Sequence, residues 1–96
     1  MSFVIKTHKT EKGIIVAVCD EDIAGRVFEE NGLVLDIDRD FFCDVLITKT
    51  ELLEILKDAH TANICGNKAV DFLVENNILE DAHVKTIAGV KYAMMF

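Results

Sequence analysis

A chain of 96 residues, 51% of them apolar and with a net charge of −7, is long enough to bury a core without disulfides or metal, which excludes a disordered tail. Between Asp20 and Asp44 nine acidic residues face only Arg26 and Arg39, and the rest of the chain is neutral. An acidic region on a neutral body disfavours wide phosphate-backbone binding, which needs a basic footprint, and permits a basic partner, a cation or simply a soluble face.

No proline, Gly/Ser linker, low-complexity tract or internal repeat marks a second unit, so one α+β domain over residues 1–96 is expected. The start, Met1-Ser2-Phe3-Val4-Ile5-Lys6, has too short an apolar run for a signal peptide. Nothing approaches the roughly 18 apolar residues of a membrane span, so a cytoplasmic location without membrane contact is expected. The three cysteines, Cys19, Cys43 and Cys65, form no C-x-x-C pair and read as reduced thiols.

In chain order, Phe3-Val4-Ile5 and Ile14-Ile15-Val16-Ala17-Val18-Cys19 read as strands around a polar turn at Glu11-Lys12-Gly13. The second is apolar on both faces, as a central strand is. A turn over Asp20-Glu21-Asp22-Ile23-Ala24-Gly25 follows. Arg26-Val27-Phe28-Glu29 and Leu33-Val34-Leu35-Asp36-Ile37 then flank Asn31-Gly32, a type I′ hairpin signal. Thr48-Lys49-Thr50-Glu51 is a capping box that opens a helix to about Asp58.

From Leu52, an apolar stripe at helical spacing continues through Leu56, Ala59, Asn63, Gly66, Val70 and Leu73. The stripe predicts a helical segment through Asn63, kinked or briefly broken between His60 and Asn67, with Asn67 a plausible N-cap. The second helix ends near Asn76-Asn77, residues that tolerate a left-handed cap. Val84-Lys85-Thr86-Ile87-Ala88 and Lys91-Tyr92-Ala93-Met94-Met95-Phe96 close the chain as a hairpin, its last strand expected inside the sheet or at a dimer edge. Strands, two consecutive helices and strands make a mixed or antiparallel sheet with the helices packed on it.

The polar break in the stripe draws attention. Asn63 and Gly66 stand where Leu or Ile belongs; a buried amide needs partners, and a glycine admits another backbone. The candidate binding site is therefore the junction of two segments: Cys19, Asp20, Gly25 and Arg26 from the turn, and Asn63, Gly66 and Lys68 from the helical segment. Asp20 would orient an amine or hydroxyl and Asn63 would read a planar hydrogen-bonding edge. The plainer reading has Asp20 capping the Glu21-Asp22-Ile23 turn and Asn63 bonding a loop carbonyl.

Cysteine catalysis, with Cys19 or Cys65 as nucleophile and His60 as base, needs an activated thiol, and the acidic neighbours of Cys19 work against it. Asp36, Asp38 and Asp40 resemble a calcium loop but lack its glycine and glutamate, Phe41 and Ile47 standing there instead. No metal and no cofactor are expected. Lys6, His8, Lys9 and Lys12 on the first hairpin, and Lys85, Lys91 and Tyr92 on the last, make a small basic patch for weak RNA contact if the hairpins are neighbours. Phe41-Phe42 would then offer stacking faces.

Val18-Cys19-Asp20-Glu21-Asp22-Ile23-Ala24-Gly25 with Phe28 following, Phe41-Phe42, and Ala59-His60-Thr61-Ala62-Asn63-Ile64-Cys65-Gly66-Asn67-Lys68-Ala69-Val70 together resemble the archaeal family catalogued as domain of unknown function 424. The family's Phe-Tyr-Gly-Gly-like run stands here as Phe41-Phe42-Cys43-Asp44, and its Pro-His-Ala-like run as Lys91-Tyr92-Ala93. The resemblance implies a small intracellular archaeal protein and a lead toward translation or RNA handling. The combined expectation is a non-enzymatic binding or adaptor protein, monomer or homodimer, with a protein or ribonucleoprotein partner. The alternatives are a small-molecule or metal-dependent enzyme at Asp20 and Asn63, and a structural homo-oligomer.

Overall fold

A computed structural model describes residues 2–96; Met1, at the head of the short apolar start, lies outside them. The first two strands, β1 (Ser2–Thr10) and β2 (Gly13–Asp20), form a long antiparallel hairpin. Its turn is tied by the Thr10 hydroxyl, which donates to the Gly13 carbonyl (2.7 Å) and accepts from the Lys12 amide (3.2 Å). β1 outruns its apolar stretch because β2 supplies ladder partners as far as Thr10. Buried from Val16 to Asp20, β2 is the central strand its two apolar faces predicted.

A single 3-10 turn (Glu21–Ile23) leads to the small hairpin of β3 (Val27–Glu30) and β4 (Leu33–Asp36). Asn31 and Gly32 both take positive φ, 52° and 81°, as a type I′ turn demands. One turn of helix, α1 (Arg39–Phe42), is capped by Asp38, whose carboxylate accepts from the Asp40 amide. That carboxylate thus serves the backbone. The edge strand β5 (Val45–Thr48) then pairs with β1.

The capping box is formed in full at the start of α2 (Lys49–Leu56): the Thr48 hydroxyl accepts from the Glu51 amide, and Glu51 accepts from the Thr48 amide. Beyond α2 the structure corrects the helical stripe. Residues Ala59–Cys65 form a strand, β6, parallel to β2, so the two helices are separated by a core strand. Ala59, Asn63, Gly66 and Val70 fit helical spacing, but within residues 59–65 the deeply buried positions Ala62 and Ile64 alternate. A seven-residue window fits both periods, and the unpaired side of β2 decides between them by offering a row of backbone donors and acceptors.

The second helix, α3 (Asn67–Glu75), ends where expected, with Asn77 at φ 59°. A second 3-10 turn (Asp81–His83) precedes the closing hairpin of β7 (Lys85–Ile87) and β8 (Val90–Met95). The sheet order is β5-β1-β2-β6-β8-β7, mixed because only β2 and β6 run parallel. β8 lies between β6 and β7, so the apolar C-terminal strand is internal.

One sheet face is sealed by α2 and α3, with Phe3, Ile5, Val16, Val18, Leu52, Ile64 and Leu73 buried between them. Each such side chain contributes about 1.5–3 kcal/mol. The other face carries a smaller core of Val4, Ala17, Cys19, Ile37, Phe42 and Cys65 under the 21–44 segment, which covers only part of it. Among the described residues no helix is long and apolar enough to cross a membrane.

Candidate functional site

The two halves of the sequence-predicted site separate in the structure. Asp20 ends β2 only 4% exposed, and both its oxygens are occupied: Oδ2 accepts from the Lys68 amide (3.0 Å) and Oδ1 from the Ala69 amide (2.8 Å). It caps α3 from the neighbouring strand, not the Glu21–Ile23 turn, with which its side chain makes no hydrogen bond. These amides are among the unpaired donors of the helix's first turn. Asn67, expected as that cap, instead clamps the last hairpin, donating to the Gly89 carbonyl (3.1 Å) and accepting from the Lys91 amide (2.8 Å).

Gly66 makes the joint fit. Its φ is +112°, and a Cβ there would stand 2.4 Å from Asp20 Cγ. Burial pushes the Asp20 carboxyl above its ordinary range, against the opposing pull of the two amides. Lys68 reaches outward to Asp22 in an exposed ion pair at 3.6 Å. Gly25, at φ +83°, lies under the Arg39 side chain, and Arg26 sits over the Phe28 ring at 5.0 Å. Cys19, Asp20, Gly66 and Lys68 do meet, as a closed packing joint.

The two buried thiols are equally inert. Cys19 and Cys65 are neighbours in register on β2 and β6, and burial first of all pushes each up to about 12. Cys43 is half-buried beside them, and all three are free. Cys19 and Cys65 therefore stay protonated and behave as small core residues. Among the described residues no three His, Cys, Asp or Glu side chains converge as a metal site.

Asn63 lies elsewhere than predicted. On β6 it sits opposite Ala17 and Met94, on the face away from α2 and α3. It is half-buried, no side-chain hydrogen bond joins its amide to another described residue, and since no buried side-chain nitrogen or oxygen among the described residues lacks a partner, the amide is open to solvent. The register builds rows across this face: Lys6, Ala17, Asn63 and Met94 in one, with Cys19, Cys65, Tyr92 and Lys85 in the next. α1 covers the β1 side, where Lys6 donates to the Asp40 carbonyl (2.8 Å) and His8 stacks on Phe41 at 4.6 Å. Phe42 belongs to the core, so the Phe41-Phe42 pair is not a free stacking surface.

The basic-patch expectation is corrected here. The Lys9–Lys12 turn lies where β6 begins and Lys91 where it ends, with β2 and β6 between their strands. Lys91 points to the helical layer, its Nζ 2.7 Å from Asp71 on α3, while Tyr92 points the opposite way. The two hairpins do not combine.

Left open is the β8 side, a shallow groove of about 380 Å³ lined by His83, Lys85, Tyr92, Met94 and Phe96. Sequence reasoning missed it as a groove. Its signal was the period-two alternation of Tyr92, Met94 and Phe96, which read only as a closing strand.

The paired Cys19 and Cys65 strand ends, joined through Asp20 and Gly66, are the structural form of the two longest segments that carried the resemblance. The model of the family described as Protein of unknown function (DUF424) matches residues 7–96. The chain belongs to that family. The fold is also that of the crystal structure of an uncharacterized conserved protein from Methanopyrus kandleri: TM-score 0.76 at 21% identity, covering 99% of this chain and 90% of that one. No curated protein sequence matches. What this chain shares with that crystal structure is a fold, an α+β mixed sheet with a C-terminal hairpin.

Proposed function

We propose that this chain is a non-enzymatic binding protein, an accessory or adaptor of the translation or RNA-handling machinery in an archaeal cytoplasm. The observation that carries the reading is the partner-free Asn63 amide on an uncovered part of the sheet, beside a groove at Tyr92 and Met94. Asp20 is consumed by the α3 amides, and Cys19 and Cys65 are held protonated, so the groups an enzyme would use are committed to the fold. The cellular setting comes from the family resemblance.

Sedimentation of the native protein in cell extract, at low and high salt and with and without RNase, tests it. Co-migration with ribosomal particles that is lost at high salt is the expected result. Migration as a free monomer or dimer under every condition would remove the adaptor reading.

A further inference from the structure

We infer that the groove along β8 takes an unpaired nucleotide segment of single-stranded RNA, the bases lying on its aromatic side chains and a phosphate at its cationic rim. The inference rests on the binding reading above and names the occupant of that face. Three features of the groove select this chemistry.

The first is the pairing of flat apolar faces with a lysine. Tyr92 is half-buried and braced against the second core, and Phe96 is 92% exposed at the groove's far end. Lys85 sits directly opposite Tyr92 in the β7–β8 register, and His83 stands on the same wall. Aromatic rings beside a cation, Lys85, suit an anionic ligand with a planar ring, because stacking is sequence-tolerant and the phosphate supplies the charge.

The second is Asn63. A side-chain amide carries a donor pair and an acceptor, the pattern that reads a base edge, and here both remain available next to Met94. An exposed sheet surface holding aromatic rings and an amide is suited to bases splayed out of a helix.

The third is what surrounds the groove. The β3–β4 hairpin packs against β7, and Glu30 accepts from the Ala88 amide at the β7–β8 turn. Glu29, Glu30 and Asp36 are exposed on that hairpin, so the second strand of a duplex would bring its phosphates toward carboxylates. A few unpaired nucleotides avoid them. The acidic segment thereby turns a poor general RNA surface into one selective for short single-stranded contact.

The test is fluorescence anisotropy with 5′-fluorescein-labelled uridine and adenosine 10-mers and with a labelled RNA duplex, at about 50 and 200 mM salt. Expected is weak, salt-sensitive binding of the single strands and none of the duplex. Tyr92→Leu keeps apolar bulk but loses the ring face, and Lys85→Glu reverses the rim charge; each weakens binding about tenfold or more. Tyr92→Phe retains it, and melting curves confirm that the variants fold. Absence of single-strand binding by the wild type, or binding unchanged in both Tyr92→Leu and Lys85→Glu, overturns the inference. Duplex bound as tightly as single strand overturns it too. Should any of these occur while co-sedimentation with ribosomal particles persists after RNase, the adaptor reading stands with a protein partner and only the RNA assignment falls.

Discussion

Asp20 and Asn63 are both polar residues on core strands, one at the end of β2 and one in the middle of β6, yet they have opposite fates. Asp20 meets two helix amides and a glycine that leaves it room, and its hydrogen-bonding capacity is spent inside the molecule. Asn63 lies on the same sheet face as the second core without being part of it, and its amide stays open to solvent. A polar interruption marks a site only where the tertiary structure leaves it without a partner.

The strongest way to break this contrast is Gly66→Ala. The new Cβ would collide with the Asp20 carboxyl at a φ that alanine resists, and the expected loss is about 3 kcal/mol or more, read by thermal or urea unfolding. A variant as stable as wild type would show that the joint has slack and that Asp20 is free to serve a ligand.

Asp20→Ala strands two α3 amides and is expected to cost about 2–3 kcal/mol, while oligonucleotide binding is unchanged. The carboxyl also sets a pH dependence. Because its folded pKa lies above the ordinary 3.8, the folded state holds the proton more tightly than the unfolded chain. Its contribution to stability is therefore full below 3.8 and is lost as pH rises through the folded value. Urea unfolding of wild type against Asp20→Asn across that range reads this, the wild type losing ground as pH rises.

Asn63→Ala sharpens the other side. With no bond to break, stability is expected to change within about 0.5 kcal/mol, while single-strand binding is lost. A large destabilisation with binding intact would make Asn63 a packing residue. The smallest effect is expected at Cys19 and Cys65. A thiol pushed up to about 12 is about one part in ten thousand thiolate at pH 8, so iodoacetamide should leave both unmodified in the native protein, by mass spectrometry of peptides. Alkylation of either would reopen cysteine chemistry.

Several elements were legible without coordinates because their signals are local. The capping box at Thr48, the type I′ hairpin at Asn31-Gly32, the α3 stop at Asn77 and the doubly apolar β2 each depend on contacts within a few residues or on one strand's own composition. The candidate site was half legible. Cys19, Asp20, Gly66 and Lys68 do come together, but their joint role required knowing that β2 and α3 meet, 48 residues apart at the Asp20–Lys68 contact.

The stripe through Asn63 shows the limit. Spacing alone allowed helix or strand over residues 59–65, and the unpaired side of β2 decided for strand. The basic hairpins failed for a related reason: which strands are neighbours is set by ladder pairing across the whole sheet, and β2 and β6 fall between them. By itself the sequence determined the α+β class, the caps and turns, the family and the mostly apolar core, all of which follow from periodicity and local hydrogen bonding. Only the tertiary structure decided which polar groups are satisfied, since a buried donor or acceptor finds its partner in space, at whatever distance along the chain that partner lies.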